Sequence, residues 1–361
     1  MNHPSFNLKK QRIRVLLVDD SAIALEFVRR MLLPAPDIEV VGTASDGQQA
    51  LRLIGQLHPD VVCTDLHMPR MDGLALTREI MASRPLPVLV LSVSVQAGQE
   101  HNIFSMLEAG ALDILAKPRG GERSNFDAIA PDFIKKIRVL AGVKVIHSKA
   151  PPTPLAQAPA AASLNWSEPE VKPRIIGIGA STGGPQAFHR ILRQLPTDFS
   201  LPVVCVQHIT SGFMDGLVRW LASTCRIRIL TAENGAEPMP GVAYFPPDDR
   251  HLEIDARGRL HCSDVPASQG HRPSIDMCLT SIARRYGAAA AGVLLTGMGE
   301  DGARGLLDIR KAGGVTLAQN EASSAVFGMP RRAMEIGAAA QVLALEQIGP
   351  ALCRLARTET Q

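Results

Sequence analysis

One repeated feature limits the fold of this chain more than any other. Short apolar runs alternate with amphipathic helical stretches, and each early run stops at a polar residue. Ile13 to Val18 stops at Asp19-Asp20, and a helical pattern then runs from Ser21 to about Leu33, closed by Pro34 and Pro36. Further runs at Ile38 to Ala44, Asp60 to Thr64, Pro87 to Leu91 and Leu112 to Ala116 repeat the unit, with helical patterns near 48–57, 73–84, 98–109 and 126–140 between and after them. Continuous apolar runs suit strands covered on both faces. Five such βα units in sequence imply a parallel sheet with helices on both sides.

The pattern is interrupted between about Lys144 and Pro173, where prolines and alanines interleave without amphipathic period. Such composition predicts a semi-extended spacer. A second series then begins. Arg174 to Gly179 reads as a strand that enters Ala180-Ser181-Thr182-Gly183-Gly184-Pro185, and a helix follows from Gln186. Later strands are expected at 201–206, 227–230, 242–245, 290–295, 315–318 and 341–344, with 251–254 and 260–262 joined as a hairpin. The fold class is therefore α/β: two doubly wound parallel-sheet domains, at 12–142 and 174–357, with an antiparallel hairpin insertion in the second and a linker over 143–173.

Composition excludes several classes. The 361 residues have 46% hydrophobic content, enough for real cores, but only 4% are aromatic, too few for stacking platforms along single-stranded nucleic acid. A net charge of +3 from 38 basic and 35 acidic residues, without a long basic run, argues against binding driven by phosphate charge. None of the six cysteines forms a Cys-x-x-Cys pair, so neither a zinc site nor a redox dithiol is indicated. Free cysteines, no signal-peptide pattern and no apolar run near ~18 residues lead to the expectation of a cytoplasmic protein without membrane insertion.

The polar residues fall where ligands bind in open α/β sheets, at the carboxyl ends of the strands. In the first domain these are Asp19, Asp20, Asp65, Ser92 and Lys117. Three carboxylates there would repel one another, and Mg²⁺, a hard cation with oxygen ligands, relieves this. One carboxylate can then accept a phosphoryl group whose charge the metal and a lysine neutralise. In the second domain Gly179-Ala180-Ser181-Thr182-Gly183 is a literal Gly-x-Ser-x-Gly between strand and helix. Dinucleotide and phosphate-loop motifs fail at the same residues, at Thr182 and Pro185. A nucleophilic serine needs a base and an orienting acid. His208 after the second strand and Asp301 after the 290–295 strand supply them, in an order unlike that of α/β-hydrolases. An α/β-hydrolase reading would instead pair Ser181 with Asp264 and His271 or a similar late His, and it expects a His-Gly-Gly-Gly type oxyanion loop that the sequence lacks.

Residues 12 to about 140 resemble a two-component receiver, a flavodoxin-like domain, including Met68-Pro69-Arg70-Met71-Asp72-Gly73 after the acceptor position. The resemblance implies that Asp65 is phosphorylated, that Asp19, Asp20 and Asp65 hold Mg²⁺, and that Ser92 and Lys117 form the switch. His67 stands where related receivers commonly carry glutamate, a change expected to bear on the lifetime of the phosphoryl group. Residues 174 to about 357 resemble the Rossmann-like catalytic domain of CheB-type chemotaxis protein-glutamate methylesterases. The matching pieces are Gly179 to Pro185, Gln207-His208, His271 to Asp276, Leu295 to Gly302 and Val326 to Pro330. This implies Ser181 as nucleophile, His208 as base and acid, Asp301 as orienting carboxylate, the Met298 N–H as oxyanion donor and Thr182 lining the site, with no cofactor in this domain. It also implies hydrolysis of glutamyl methyl esters on chemoreceptors, deamidation of receptor glutamine as in many relatives, a CheA-type histidine kinase as phosphodonor and a receptor methyltransferase as opponent. A receiver tethered ahead of an enzyme is expected to restrain it until phosphorylated. The competing class is a non-enzymatic regulator of a chemosensory-like pathway, acting by phospho-dependent binding.

Overall fold

The computed structural model describes residues 12–92, 100–117, 123–143, 145, 169–268 and 270–357. The linker falls almost wholly outside them. The chain divides into two compact units, residues 1–94 with 109–147, and residues 95–108 with 148–361.

The first unit carries β1 (Ile13–Val18), α1 (Ala22–Leu32), β2 (Ile38–Ala44), α2 (Gly47–Leu57), β3 (Val61–Asp65), α3 (Gly73–Ser83) and β4 (Val88–Ser92). After α4 (Glu100–Glu108), which falls in the second unit, come β5 (Asp113–Ala116) and α5 (Arg123–Leu140). The five strands pair in the order β2-β1-β3-β4-β5, all parallel. Side chains capping the helix starts explain the boundaries: Ser21 accepts from Ala24 N–H, Asp46 from Gln49 N–H and Asp72 from Ala75 N–H. Val15, Leu17, Leu89 and Leu91 of the sheet pack with Val28 and Met31 of α1 and Phe133 and Ile137 of α5, all buried.

The remaining elements are β6 (Ile175–Ala180), α6 (Gly184–Leu192), β7 (Val203–Gln207), α7 (Met214–Thr224), β8 (Arg228–Thr231), β9 (Val242–Phe245), β10 (His251–Ile254), β11 (Leu260–Ser263) and α8 (Ile275–Tyr286). β12 (Ala290–Leu294), α9 (Ala303–Lys311), β13 (Val315–Gln319), α10 (Met329–Glu335), β14 (Gln341–Leu343) and α11 (Leu345–Leu355) complete the chain. Seven strands form one parallel sheet in the order β14-β13-β12-β6-β7-β9-β8. Among the described strands, only β10 and β11 pair antiparallel. Val242–Phe245, expected merely as a short strand, is thus β9, inserted in the main sheet between β7 and β8.

The hairpin has a packing role. Leu252, Ile254 and Leu260 join Ile275, Cys278, Leu279 and Ile282 of α8 in one buried core. Ile254 N–H also donates to Ser281 Oγ of α8 at 2.8 Å. β10 and β11 therefore fix where α8 begins, and that start faces the site described next. Sheet order sets the rest. β6 lies between β12 and β7, so successive strands leave β6 on opposite sides. That is a topological switch point, where a crevice opens beyond the strand ends.

Candidate active site

Three polar residues follow the three strands at that switch point: Ser181 after β6, His208 after β7 and Asp301 in the loop after β12. Backbone bonds lock the turns together. Ser181 N–H donates to Thr296 O at 3.0 Å, and His208 N–H to Ala180 O at 2.9 Å. Gly184 N–H donates to Ser181 O at 2.7 Å, closing the turn through Gly183, whose φ of 76° favours glycine. Gln207 adds a clamp: its side-chain N–H₂ donates to both Ser181 O and His208 O at 2.8 Å. Thr296 Oγ1 donates to Thr182 O at 2.9 Å and accepts from Val326 N–H at the same distance, tying the Ser181 turn to the 320s loop.

The close approach leaves no room for larger residues. A methyl added at Gly184 would overlap the Gln207 carboxamide and lie 2.8 Å from Ala180 Cβ. Gly184→Ala is therefore expected to destabilise by about 1–3 kcal/mol, as overpacking does, and to displace the Gln207 clamp. Urea unfolding measures the first effect and esterase kcat the second.

His208 Nε2 lies 2.8 Å from Asp301 Oδ2, and both side chains are buried. Asp301 accepts three further hydrogen bonds. Ile275 N–H reaches Oδ2 at 2.7 Å, while Asp276 N–H and Ser274 Oγ–H reach Oδ1 at 3.0 Å. The carboxylate thus sits on the first turn of α8, where free N–H groups and the helix dipole favour an anion. Ser274 caps that helix, accepting from Met277 N–H. Its own N–H donates to Nδ1 of the fully buried His251 at 3.1 Å. Burial alone pushes the Asp301 carboxyl up. The His208 hydrogen bond and charge, and the N–H groups of Asp276 and Ile275, outweigh it and bring the pKa down to about 2.

This fixes a proton. An ionised carboxylate only accepts, so the hydrogen between the two groups belongs to His208 Nε2. When the ring carries a single proton, Nδ1 is then the basic nitrogen. It is buried and has no hydrogen-bond partner among the described residues. Ser181 Oγ likewise makes no hydrogen bond to another described residue. Serine–base contacts often close only with substrate bound. The Met298 N–H also lacks an acceptor among the described residues, and Met298 follows Gly297, whose added Cβ would lie 2.7 Å from Ser181 Cβ.

His271, of the alternative set, stacks on His208 with ring centroids 4.0 Å apart and planes 6° from parallel, and Asp264 is exposed, its backbone carbonyl accepting from Arg272 at 3.1 Å. Gln207 and Ser274 stand in the matching stretches without a task that a local pattern assigns, and His271 has one only in the α/β-hydrolase alternative.

In the first unit the strand-end residues also converge. Lys117 Nζ lies 2.6 Å from Asp19 Oδ2 and 3.0 Å from Asp65 Oδ1, with all three side chains largely buried. Asp19, Asp20 and Asp65 each offer an oxygen within 4.8 Å of the others, a hard-oxygen set that fits a divalent cation such as Mg²⁺. Ser92 is buried at the end of β4, and Lys117 N–H donates to its carbonyl at 2.7 Å. His67 is exposed. Burial raises the Asp65 carboxyl, the Lys117 charge and hydrogen bond oppose this, and the Asp19 charge adds to it.

Two family models match this chain. CheB methylesterase covers residues 176–352 and the response regulator receiver domain covers residues 15–124. A protein-glutamate methylesterase/protein-glutamine glutaminase of Geobacter metallireducens is 40% identical over 95% of this chain and 99% of its own length. One from Anaeromyxobacter dehalogenans is 43% identical over 96% and 97%. The chain belongs to the protein-glutamate methylesterase/protein-glutamine glutaminase family. The catalytic domain of a Thermotoga maritima CheB methylesterase is similar over 51% of this chain and all of its own, with 36% identity and a TM-score of 0.49. The span matched to the methylesterase contains Ser181, His208 and Asp301. The span matched to the receiver contains Asp19, Asp20, Asp65, Ser92 and Lys117. Among the described residues, no helix of this family member is long and apolar enough to cross a membrane.

Proposed function

We propose that the chain is a receiver-regulated esterase that hydrolyses γ-glutamyl methyl esters, and deamidates glutamines, on the cytoplasmic helices of chemoreceptors. The observation that carries this reading is the His208–Asp301 pair, with Nε2 held at 2.8 Å and Nδ1 left without a partner beside the β6 turn. Ser181 Oγ attacks the ester carbonyl while His208 Nδ1 takes its proton. The positive charge formed on the ring faces the ionised Asp301. The Met298 N–H, which has no acceptor among the described residues, donates to the developing oxyanion, a contribution typically near ~3 kcal/mol per donor. Thr182, at the turn, lines the site. His208 returns the proton to the departing methoxide, methanol leaves, and water activated by the same nitrogen hydrolyses the acyl-enzyme. With glutamine the leaving group is ammonia.

In the receiver, Asp19, Asp20 and Asp65 would hold Mg²⁺, which when bound neutralises phosphoryl oxygens. Asp65 accepts the phosphoryl group from a histidine kinase of the CheA type, Lys117 pairs with it, and the Ser92 hydroxyl bonds the new oxygens. Phosphorylation raises esterase activity in the cytoplasm, against a receptor methyltransferase.

The test is methanol release from a methylated receptor fragment, with and without a small-molecule phosphodonor. No release in either condition refutes the esterase and leaves phospho-dependent binding. Asp65→Asn is expected to keep basal release and lose the response to phosphodonor. Because burial raises the Asp65 carboxyl, its ionised form costs folding stability at neutral pH, and this cost fades as pH falls and the group protonates. In Mg²⁺-free buffer the same variant should therefore melt higher than wild type at pH 7, with the gap narrowing in acid.

A further inference from the structure

The Asp301 contact leaves one freedom of His208 unaccounted for. A single hydrogen bond at Nε2 fixes the distance of the ring but not its tilt about the Nε2···Oδ2 direction. The basic nitrogen, Nδ1, swings with that tilt. The face-to-face stack on His271, at 4.0 Å and 6°, is the contact that removes it.

His271 is itself held from both sides. Before it, His271 and Ser268 exchange backbone hydrogen bonds, with His271 N–H to Ser268 O at 2.9 Å and Ser268 N–H to His271 O at 3.0 Å. After it, the Arg272 guanidinium grips Asp249 with two bonds, Nε at 2.9 Å and Nη2 at 2.6 Å, and its Nη1 donates to Asp264 O. Planar two-point pairing fixes direction as well as distance. Two residues further on, Ser274 is fastened to Asp301 and to His251. The loop that presents His271 is therefore anchored at the carboxylate that holds His208.

We infer that His271 is a positioning residue that sets the plane of the His208 ring, so that Nδ1 stays aimed for proton transfer from Ser181. This rests on the esterase reading above. His271 acts through the flat face of its ring, so another flat ring should replace it.

The experiment compares wild type, His271→Ala and His271→Phe in the full chain, by methanol release and by ¹⁵N NMR of the His208 ring. His271→Ala is expected to lower kcat about 10- to 100-fold with KM little changed, because misplacing a reacting group by ~1 Å costs on that order. His271→Phe should recover most of the loss. In wild type the His208 nitrogens should report a single Nε2-protonated tautomer with narrow lines, and in His271→Ala the same tautomer, which Asp301 sets, with lines broadened by ring motion. Wild-type kcat in His271→Ala overturns the inference, as does a His271→Phe as slow as the alanine variant. Unchanged His208 line widths in His271→Ala overturn it even if turnover falls. A wild-type chain that releases no methanol refutes the esterase reading instead, and the NMR comparison still decides whether His271 orders the ring.

Discussion

Ser181→Ala is expected to lower methanol release by roughly 10⁵–10⁶-fold, the scale on which loss of an activated serine acts in other serine hydrolases. The variant should keep its fold. Every bond that holds the Ser181 turn is made by its backbone: N–H to Thr296 O, and C=O from Gly184 N–H and the Gln207 carboxamide. Among the described residues Oγ has no partner to lose, so stability should stay within about 0.5 kcal/mol. Asp65 should still take a phosphoryl group, since none of its contacts involves Ser181. Loss of release with unchanged urea midpoint and unchanged phosphorylation is the expected result. Release within tenfold of wild type would sink the serine mechanism.

Much of this arrangement is legible in the chain because it depends on strand ends. A parallel sheet puts every carboxyl end on one edge, so polar residues that close apolar runs must gather there. That logic leads from Val18 to Asp19, from Thr64 to Asp65, from Ala180 to Ser181 and from Gln207 to His208. Pairing order is another matter. The placement of Val242–Phe245 between β7 and β8 follows from tertiary packing, and its four apolar residues carry no register of their own. The supporting residues were invisible for a similar reason. Gln207 clamps Ser181 across 26 residues, and Ser274 reaches Asp301 across 27. Nothing in the residues near Ser274 signals that this helix cap also holds a carboxylate from a later loop. His271 could be placed near the site by its motif, but a ring stack is a geometric fact that spacing does not encode.

Asp301→Asn should damage catalysis and stability together, and the hydrogen bonds show why. The carboxylate offers two oxygens to four donors: Ser274 Oγ–H and Asp276 N–H on Oδ1, Ile275 N–H and His208 Nε2–H on Oδ2. An amide has one accepting oxygen and one donating nitrogen. If its nitrogen takes the Oδ2 side, it confronts Ile275 N–H and Nε2–H. His208 can then relieve the clash only by moving its proton to Nδ1, which removes the base. If the nitrogen takes the Oδ1 side, the first turn of α8 is left with an unsatisfied N–H. The expected loss is ~10⁴-fold in kcat, the scale of a wrong histidine tautomer, with destabilisation of ~2–4 kcal/mol. The pH dependence separates the charge from the packing. The Asp301 pKa falls from 3.8 to about 2 on folding, so ionisation contributes roughly 2 kcal/mol. A depressed carboxylate pKa means that this part is present above about pH 4 and is lost as pH falls through 2. Urea midpoints of wild type and Asp301→Asn should therefore converge between those values. A gap that stays constant down to pH 2 would place the whole cost in packing and remove Asp301's charge from the account of how His208 is held.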